Sequence, residues 1–316
     1  MSKKPTLYIV IPCYNEEEVI EETTKRLNIK MKNLISNDVV SKDSKVMYVN
    51  DGSKDNTWNI IKGIYEKNKH FIGLSLSRNR GHQNALLAGL MTAKEYADIV
   101  ISMDADLQDD INAVDKFISE YNKGNDVVYG VRSKREKDTF FKKITAESFY
   151  KLMKKMGVDI VFNHADYRLM SKRALDALEK YDEVNLFLRG IVPLIGYKSS
   201  IVKYERSERF AGKSKYPIKK MLSFAVDGIT SFSIKPIRLI LNVGIIMFII
   251  SIIIMIYSII RHVSGNTVSG WTFLNISIWA LSGIQMLSLG IIGEYIGKIY
   301  SETKRRPKYI IEEELM

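Results

Sequence analysis

Two stretches near the C-terminus, Leu239 to Ile260 and Trp271 to Ile292, contain no charged residue. Each is close to the ~20 residues that a helix needs to cross the hydrocarbon core of a bilayer, so a two-helix membrane hairpin is expected over 237–293. The apolar run before Pro12 is too short for a secretory signal. Basic residues flank the hairpin on its outer sides: Lys219, Lys220, Lys235 and Arg238 before it, Lys298, Lys304, Arg305, Arg306 and Lys308 after it. The connecting loop offers only Arg261. Positive residues stay on the cytoplasmic side, so the expectation is a two-span protein of the cell membrane with its large N-terminal portion and both termini in the cytoplasm.

From Met1 to about Lys235 charged and apolar residues mix as they do in a soluble domain, and a chain of 316 residues has room for one large α/β domain plus an appendage. The net charge of +11 suits an anionic membrane surface. Because that charge gathers beside the apolar stretches, a membrane is favoured over nucleic acid, and no nucleic-acid partner is expected. Cys13 is the only cysteine, so no intrachain disulfide can form.

Short apolar runs at Leu7–Ile11, Val46–Val49, Ile72–Leu76, Ile99–Met103 and Val127–Val131 alternate with segments of helical spacing. That alternation predicts a mostly parallel sheet with helices on both faces, whose ligands sit beyond the carboxyl ends of the strands. Further on, Phe141 to Met156 has one apolar helical face, Lys172 to Tyr181 reads as a helix, Leu186 to Ile195 as an apolar segment and Ser199 to Tyr204 as a strand. Pro217 to Phe232 is amphipathic and abuts the first span, which suits a helix lying in the headgroup region, and Pro236 separates the two.

Polar residues collect after the strands. Asn50-Asp51-Gly52-Ser53 leaves Asp51 at a strand tip as an acceptor for a base or ribose, with Gly52 allowing a tight turn. Asp104-Ala105-Asp106-Leu107-Gln108-Asp109 sets Asp104 and Asp106 one residue apart at another tip, a donor set suited to Mg²⁺ or Mn²⁺. Arg78 and Arg80 precede a helix start, where phosphate binds well; His82 reads as a polar loop residue. The four histidines show no zinc-ligand spacing.

These motifs, beginning with Ile9-Val10-Ile11-Pro12-Cys13-Tyr14-Asn15-Glu16 and continuing through Ala165-Asp166-Tyr167-Arg168-Leu169, the Phe210 to Tyr216 stretch, Gly293-Glu294-Tyr295 and Arg306-Pro307, resemble the family 2 glycosyltransferases. Within them the chain is similar to dolichol-phosphate mannose synthases and to bacterial polyprenyl-phosphate (bactoprenol) glycosyltransferases that end in two spans. The resemblance implies a GT-A catalytic domain over 1–216, an interfacial helix over 217–236, the hairpin, and a basic cytoplasmic tail over 294–316. It implies that Pro12, Tyr14, Glu16 and Asp51 line the nucleotide pocket with Arg78, and that Asp104 and Asp106 hold ribose, diphosphate and metal. Asp166 is implied near the sugar, and Lys213, Lys215 and Arg168 are implied to meet a diphosphate or lipid phosphate.

The implied activity is an inverting, metal-dependent transfer of one hexose from a nucleotide-sugar to polyprenyl (undecaprenyl) phosphate, which yields a donor for cell-envelope glycosylation. UDP-glucose leads the candidate donors, ahead of UDP-N-acetylglucosamine and UDP-galactose. Processive relatives carry Gln-x-x-Arg-Trp, whereas Trp58, Trp271 and Trp279 have no arginine before them, so single transfer is expected. Asp166 is open between two roles, a base and a group that orients sugar or acceptor; a phosphate nucleophile that is already dianionic favours the second. Other membrane-lipid acceptors, and a silent nucleotide-sugar-binding scaffold, are the alternatives. Gly293 and Gly297 form a small-xxx-small pair that suggests a homo-oligomer, and a lipid-sugar flippase and a downstream glycosyltransferase are the expected partners.

Overall fold

The computed structural model describes residues 4–133, 164–184, 187–206, 233, 235–264 and 270–316. The helical face from Phe141 to Met156, the amphipathic segment Pro217 to Phe232, and Lys213 and Lys215 lie outside the described residues.

Eight strands form one sheet: β1 (Leu7–Cys13), β2 (Lys45–Asn50), β3 (Phe71–Leu76), β4 (Ile99–Ser102), β5 (Val127–Arg132), β6 (His164–Ser171), β7 (Ser199–Tyr204) and β8 (Ile311–Leu315), in the order β7-β5-β6-β4-β1-β2-β3-β8. The helices between them are α1 (Ile20–Ser36), α2 (Thr57–Lys67), α3 (His82–Ala93), α4 (Ala113–Asn122), α5 (Lys172–Glu179) and α6 (Leu188–Leu194). Strands β1 to β4 pair in parallel, and every residue of β1 is buried, as a strand covered on both faces requires. Helix α3 packs closely on this core at Gly89, where a Cβ would stand 2.4 Å from Val10 Cγ1 and 2.6 Å from Val49 Cγ2.

The first five strands and β7 fall where the sequence expects them. Two do not follow from it. Strand β6 lies between β4 and β5, antiparallel to both, and so breaks the parallel pattern. Its period of two sends Tyr167 and Leu169 into the core, Tyr167 edge-on to Phe117 with centroids 4.7 Å apart, while Asp166 and Arg168 share the other face. Strand β8 pairs antiparallel with β3 and covers what would otherwise be an open sheet edge. Glu313 accepts from Trp58 Nε1 at 2.9 Å and pairs with Lys62 at 2.8 Å, and Tyr65 donates to the Met316 carbonyl at 2.7 Å. The residues expected to be a basic tail thus end as part of the sheet.

The described residues divide into two compact units, the sheet with its helices and a separate pair of helices. That pair comprises α7 (Lys235–Val263, 29 residues) and α8 (Trp271–Thr303, 33 residues). Large apolar side chains stand exposed on both, among them Leu239, Ile253, Met286 and Leu287. Among the described residues no helix is long and apolar enough to cross a membrane, the side chains at 247–248, 251, 254–255, 258–259 and 261–263 of α7 and at 271–273, 275–276 and 279–280 of α8 being outside the described set.

Candidate active site

The loops after β1 and β2 are laced together by side chains that the sequence places at their turns. Ser53 accepts from Asn15 N–H at 3.0 Å, Asn15 from Lys54 N–H at 2.9 Å, and Thr57 Oγ1 from Glu16 N–H at 3.0 Å. These bonds fix the stretch that carries Pro12, Tyr14 and Glu16; Pro12 is buried and the other two are half-buried at its surface. Asp51 is 2 % exposed, and its carboxylate accepts the backbone N–H groups of Arg80 at 2.6 Å and Gly81 at 2.9 Å. It therefore ties the tip of β2 to the start of α3. Gly52 makes this approach possible: its φ is +61°, and a Cβ there would stand 2.5 Å from Asn79 N. Arg78, on the far side of the same contact, is exposed.

The tip of β4 is acidic and strained. Leu107 has φ +58°, a conformation that a branched residue adopts only when its surroundings impose it. That turn lets Asp106 accept from Gln108 N–H at 3.1 Å, while Thr23 holds the Ala105 carbonyl at 3.0 Å. Asp106 is buried and Asp104 half-buried. Burial raises the Asp104 pKa above that of an ordinary carboxyl, and the charges of Asp166 and Asp106 add to the rise against the pull of His82 and Arg132. Asp109 is buried too and accepts from Tyr204 at 2.6 Å; burial and then the Asp104 charge push it up to about 6. Among the described residues no three or more His, Cys, Asp or Glu side chains group as a metal site. Two crowded carboxylates nonetheless fit an ion that takes its other ligands from substrate phosphates and water, as Mg²⁺ and Mn²⁺ do.

Asp166 contrasts with these. Because β6 runs antiparallel, its N-terminal residues lie at the carboxyl end of β4, where Ser102 pairs with Arg168 and donates to the Asp166 carbonyl. Arg168 donates to Asp166 Oδ1 at 2.6 Å, and Arg189, from α6, bonds both oxygens at 3.2 and 3.0 Å. Burial opposes the charged form, but Arg189 and Arg168 outweigh it and hold the Asp166 pKa well below that of an ordinary carboxyl. Arg168 is itself buried and also donates to the Leu188 carbonyl at 3.4 Å. Its geometry is that of a partner for Asp166, and the expectation that it meets a diphosphate or lipid phosphate has no exposed guanidinium behind it.

The structure thus brings Asp104, Asp106 and Asp166 together at one end of the sheet, with the Asp51-anchored loop beside them. It adds Arg189, Arg132 and Tyr204, which sequence reasoning left out, and Asp109 and His82, to which it gave no site role. For Arg189 a signal existed, since it is the one charge in the apolar segment Leu186 to Ile195.

Residues 8–179 match the glycosyl transferase family 2, over half of the chain. The protein is a family 2 glycosyltransferase. Residues 235–299 match a second family, the GtrB C-terminal hairpin. The glycosyltransferase is 54 % identical over 312 residues to the uncharacterized glycosyltransferase YkoT of Bacillus subtilis, covering 99 % of this chain and 93 % of that one. It is 40 % identical over 308 residues to the bactoprenol glucosyl transferase of Shigella phage SfV, covering 97 % and 98 %. The prophage bactoprenol glucosyl transferase homolog of Escherichia coli is likewise 40 % identical, covering 96 % and 97 %.

Proposed function

We propose that this glycosyltransferase moves one hexose from a UDP-sugar, UDP-glucose first, onto polyprenyl phosphate at the cytoplasmic membrane face, with inversion. The observation that carries the proposal is the pairing of an arginine-locked, ionised Asp166 with the crowded Asp104 and Asp106 at the same sheet end. The full-length likeness to bactoprenol glucosyl transferases supports the acceptor. Helices α7 and α8 are proposed as the two spans, since the runs Leu239–Ile260 and Trp271–Ile292 carry no charge and 235–299 matches the hairpin family. The segment 217–236 would then lie in the headgroup region, and 1–216 would face the acceptor from the cytoplasm.

An acceptor phosphate monoester has a second pKa of about 6 and arrives largely as a dianion. One of its oxygens forms a bond to the anomeric carbon as the bond from that carbon to the diphosphate breaks, and the electron pair leaves on the nucleoside diphosphate. No proton has to be removed. An Asp166 held ionised by two guanidinium groups is a weak base, so its part is to accept from a sugar hydroxyl and fix the ring. Asp104 and Asp106 would hold Mg²⁺ or Mn²⁺, which when bound supplies positive charge against the charge developing on the leaving group. Asp51, through the Arg80 and Gly81 N–H groups, holds the loop that carries Arg78 toward the donor phosphates.

Membranes containing the protein, incubated with undecaprenyl phosphate and radiolabelled UDP-glucose, UDP-N-acetylglucosamine or UDP-galactose, test the proposal. Label from one donor entering the solvent-extractable lipid is expected. Label reaching a diacylglycerol acceptor while undecaprenyl phosphate stays unlabelled would overturn the acceptor.

A further inference from the structure

His82 opens α3 and does not wander. The residue before it, Gly81, has φ +86°, and its N–H is held by Asp51 at 2.9 Å. The residue after it, Gln83, accepts the Leu188 N–H at 3.0 Å, which ties the start of α3 to the helix that carries Arg189. The backbone at His82 is thereby held, and its imidazole lies between two carboxylates that differ in kind. Its Nε2 stands 3.7 Å from Asp104 Oδ1 and 3.8 Å from Asp166 Oδ2. Both separations exceed a direct hydrogen bond, and both are short enough for one oxygen to bond to each side.

The acceptor capacity of Asp166 points the same way. Among the described residues, Oδ1 receives two donors, from Arg168 and Arg189, while Oδ2 receives one, from Arg189. A carboxylate oxygen accepts two, so a place is left on Oδ2, the oxygen nearest His82. The imidazole side chain is 37 % exposed, so a ligand can reach this gap.

We infer that His82 is a positioning residue for the transferred sugar, bonding a hexose hydroxyl that also bonds Asp166 Oδ2. The inference rests on the proposed placement of the diphosphate at Asp104 and Asp106 and of the sugar at Asp166. A side chain bridging those two points faces the first part of the donor beyond the diphosphate, the hexose itself. It follows that His82 acts on the sugar and not on the nucleotide. A merely structural histidine at the head of α3 would affect both.

Calorimetry with UDP and with UDP-glucose separates these cases without any acceptor. In His82→Ala, UDP affinity is expected to stay within about twofold of the parent, while the added affinity for UDP-glucose over UDP falls by about tenfold. His82→Gln, which keeps a side-chain donor and acceptor, should recover part of it. With the acceptor assay in hand, kcat/KM for UDP-glucose should fall by about 10- to 100-fold in His82→Ala, and its preference over UDP-galactose should narrow. Equal losses for UDP and UDP-glucose, no loss for either, or a parent protein that binds UDP-glucose no better than UDP would each overturn the inference. A parent that binds UDP-glucose through His82 yet labels no polyprenyl phosphate would leave His82 standing and remove the acceptor assignment.

Discussion

Asp166 and Asp104, the first carboxylate of the β4 turn, each stand within 4 Å of His82 Nε2, yet the chain treats the charges of Asp166 and of that turn in opposite ways. Asp166 is buried against two arginines, which together give it three charged hydrogen bonds. In the β4 turn the carboxylates of Asp104 and Asp109 are pushed up by burial first, Asp104 further by the charges of Asp166 and Asp106, and Asp109 further by those of Asp104 and Asp106. One site keeps a fixed anion at no gain from further cations. The other is left short of positive charge, as a site for a substrate-borne or bound cation must be before its ligand arrives. The difference assigns the two groups separate tasks: fixing geometry at Asp166, and taking up charge at Asp104 and Asp106.

The largest effect should come from the turn. Asp106→Asn is expected to lower transfer by about 10³-fold while leaving the fold intact, since a ligand to the leaving-group charge contributes more to the transition state than to the core. Excess chelator should do the same to the parent. Full activity in chelator would remove the charge-accepting role and with it the contrast between the two sites.

Substitution at Asp166 should divide activity from stability. Asp166→Ala leaves Arg168 buried without its anion, so a loss of about 3 kcal/mol in unfolding free energy is expected, with transfer reduced by about 10²-fold. Asp166→Asn keeps an acceptor for the sugar and should retain about a tenth of the rate. Asp104→Ala relieves like-charge crowding and should leave thermal stability unchanged or slightly higher despite its loss of activity. Equal and near-total losses in Asp166→Ala and Asp166→Asn, with donor and acceptor binding unchanged, would instead make Asp166 the base.

What the sequence made legible follows the same division. Strands β1 to β5 are short apolar runs buried on both faces, and a run of that kind announces itself without knowledge of its neighbours. The acidic turn after β4 was equally plain, because its two carboxylates are one residue apart. Strand β6 was not, because Asp166 and Arg168 look exposed until Arg189, distant in sequence, is seen to complete their neutralisation. Strand β8 was hidden for a related reason: only Ile311 and Leu315 are apolar, and its hold on the sheet comes from the backbone ladder and from Glu313 with Trp58 and Lys62. Arg168 was legible as a motif, but nothing local shows that its side chain turns into the protein to meet Asp166.

The smallest expected effect is in the pH dependence of stability, measured in chelator so that no bound ion alters the charges. Asp166 has a folded pKa below the ~3.9 of an unfolded aspartate, so its contribution is fully present above about pH 4 and is lost as the pH falls below that. Asp109 has its folded value pushed up to about 6, so ionising it in the folded protein costs stability as the pH rises from about 4 to about 6. The parent should therefore gain about 1–2 kcal/mol on going from pH 7 to pH 5 and lose stability below pH 4. Asp109→Asn should flatten the first arm and keep the second; Asp166→Asn should keep the first and weaken the second. Chemical denaturation at pH 7, 5 and 3.5 reads both arms. A parent whose stability falls steadily from pH 7 to pH 5 would mean that Asp109 is neutralised as fully as Asp166, and the contrast between the two sites would narrow to Asp104 alone.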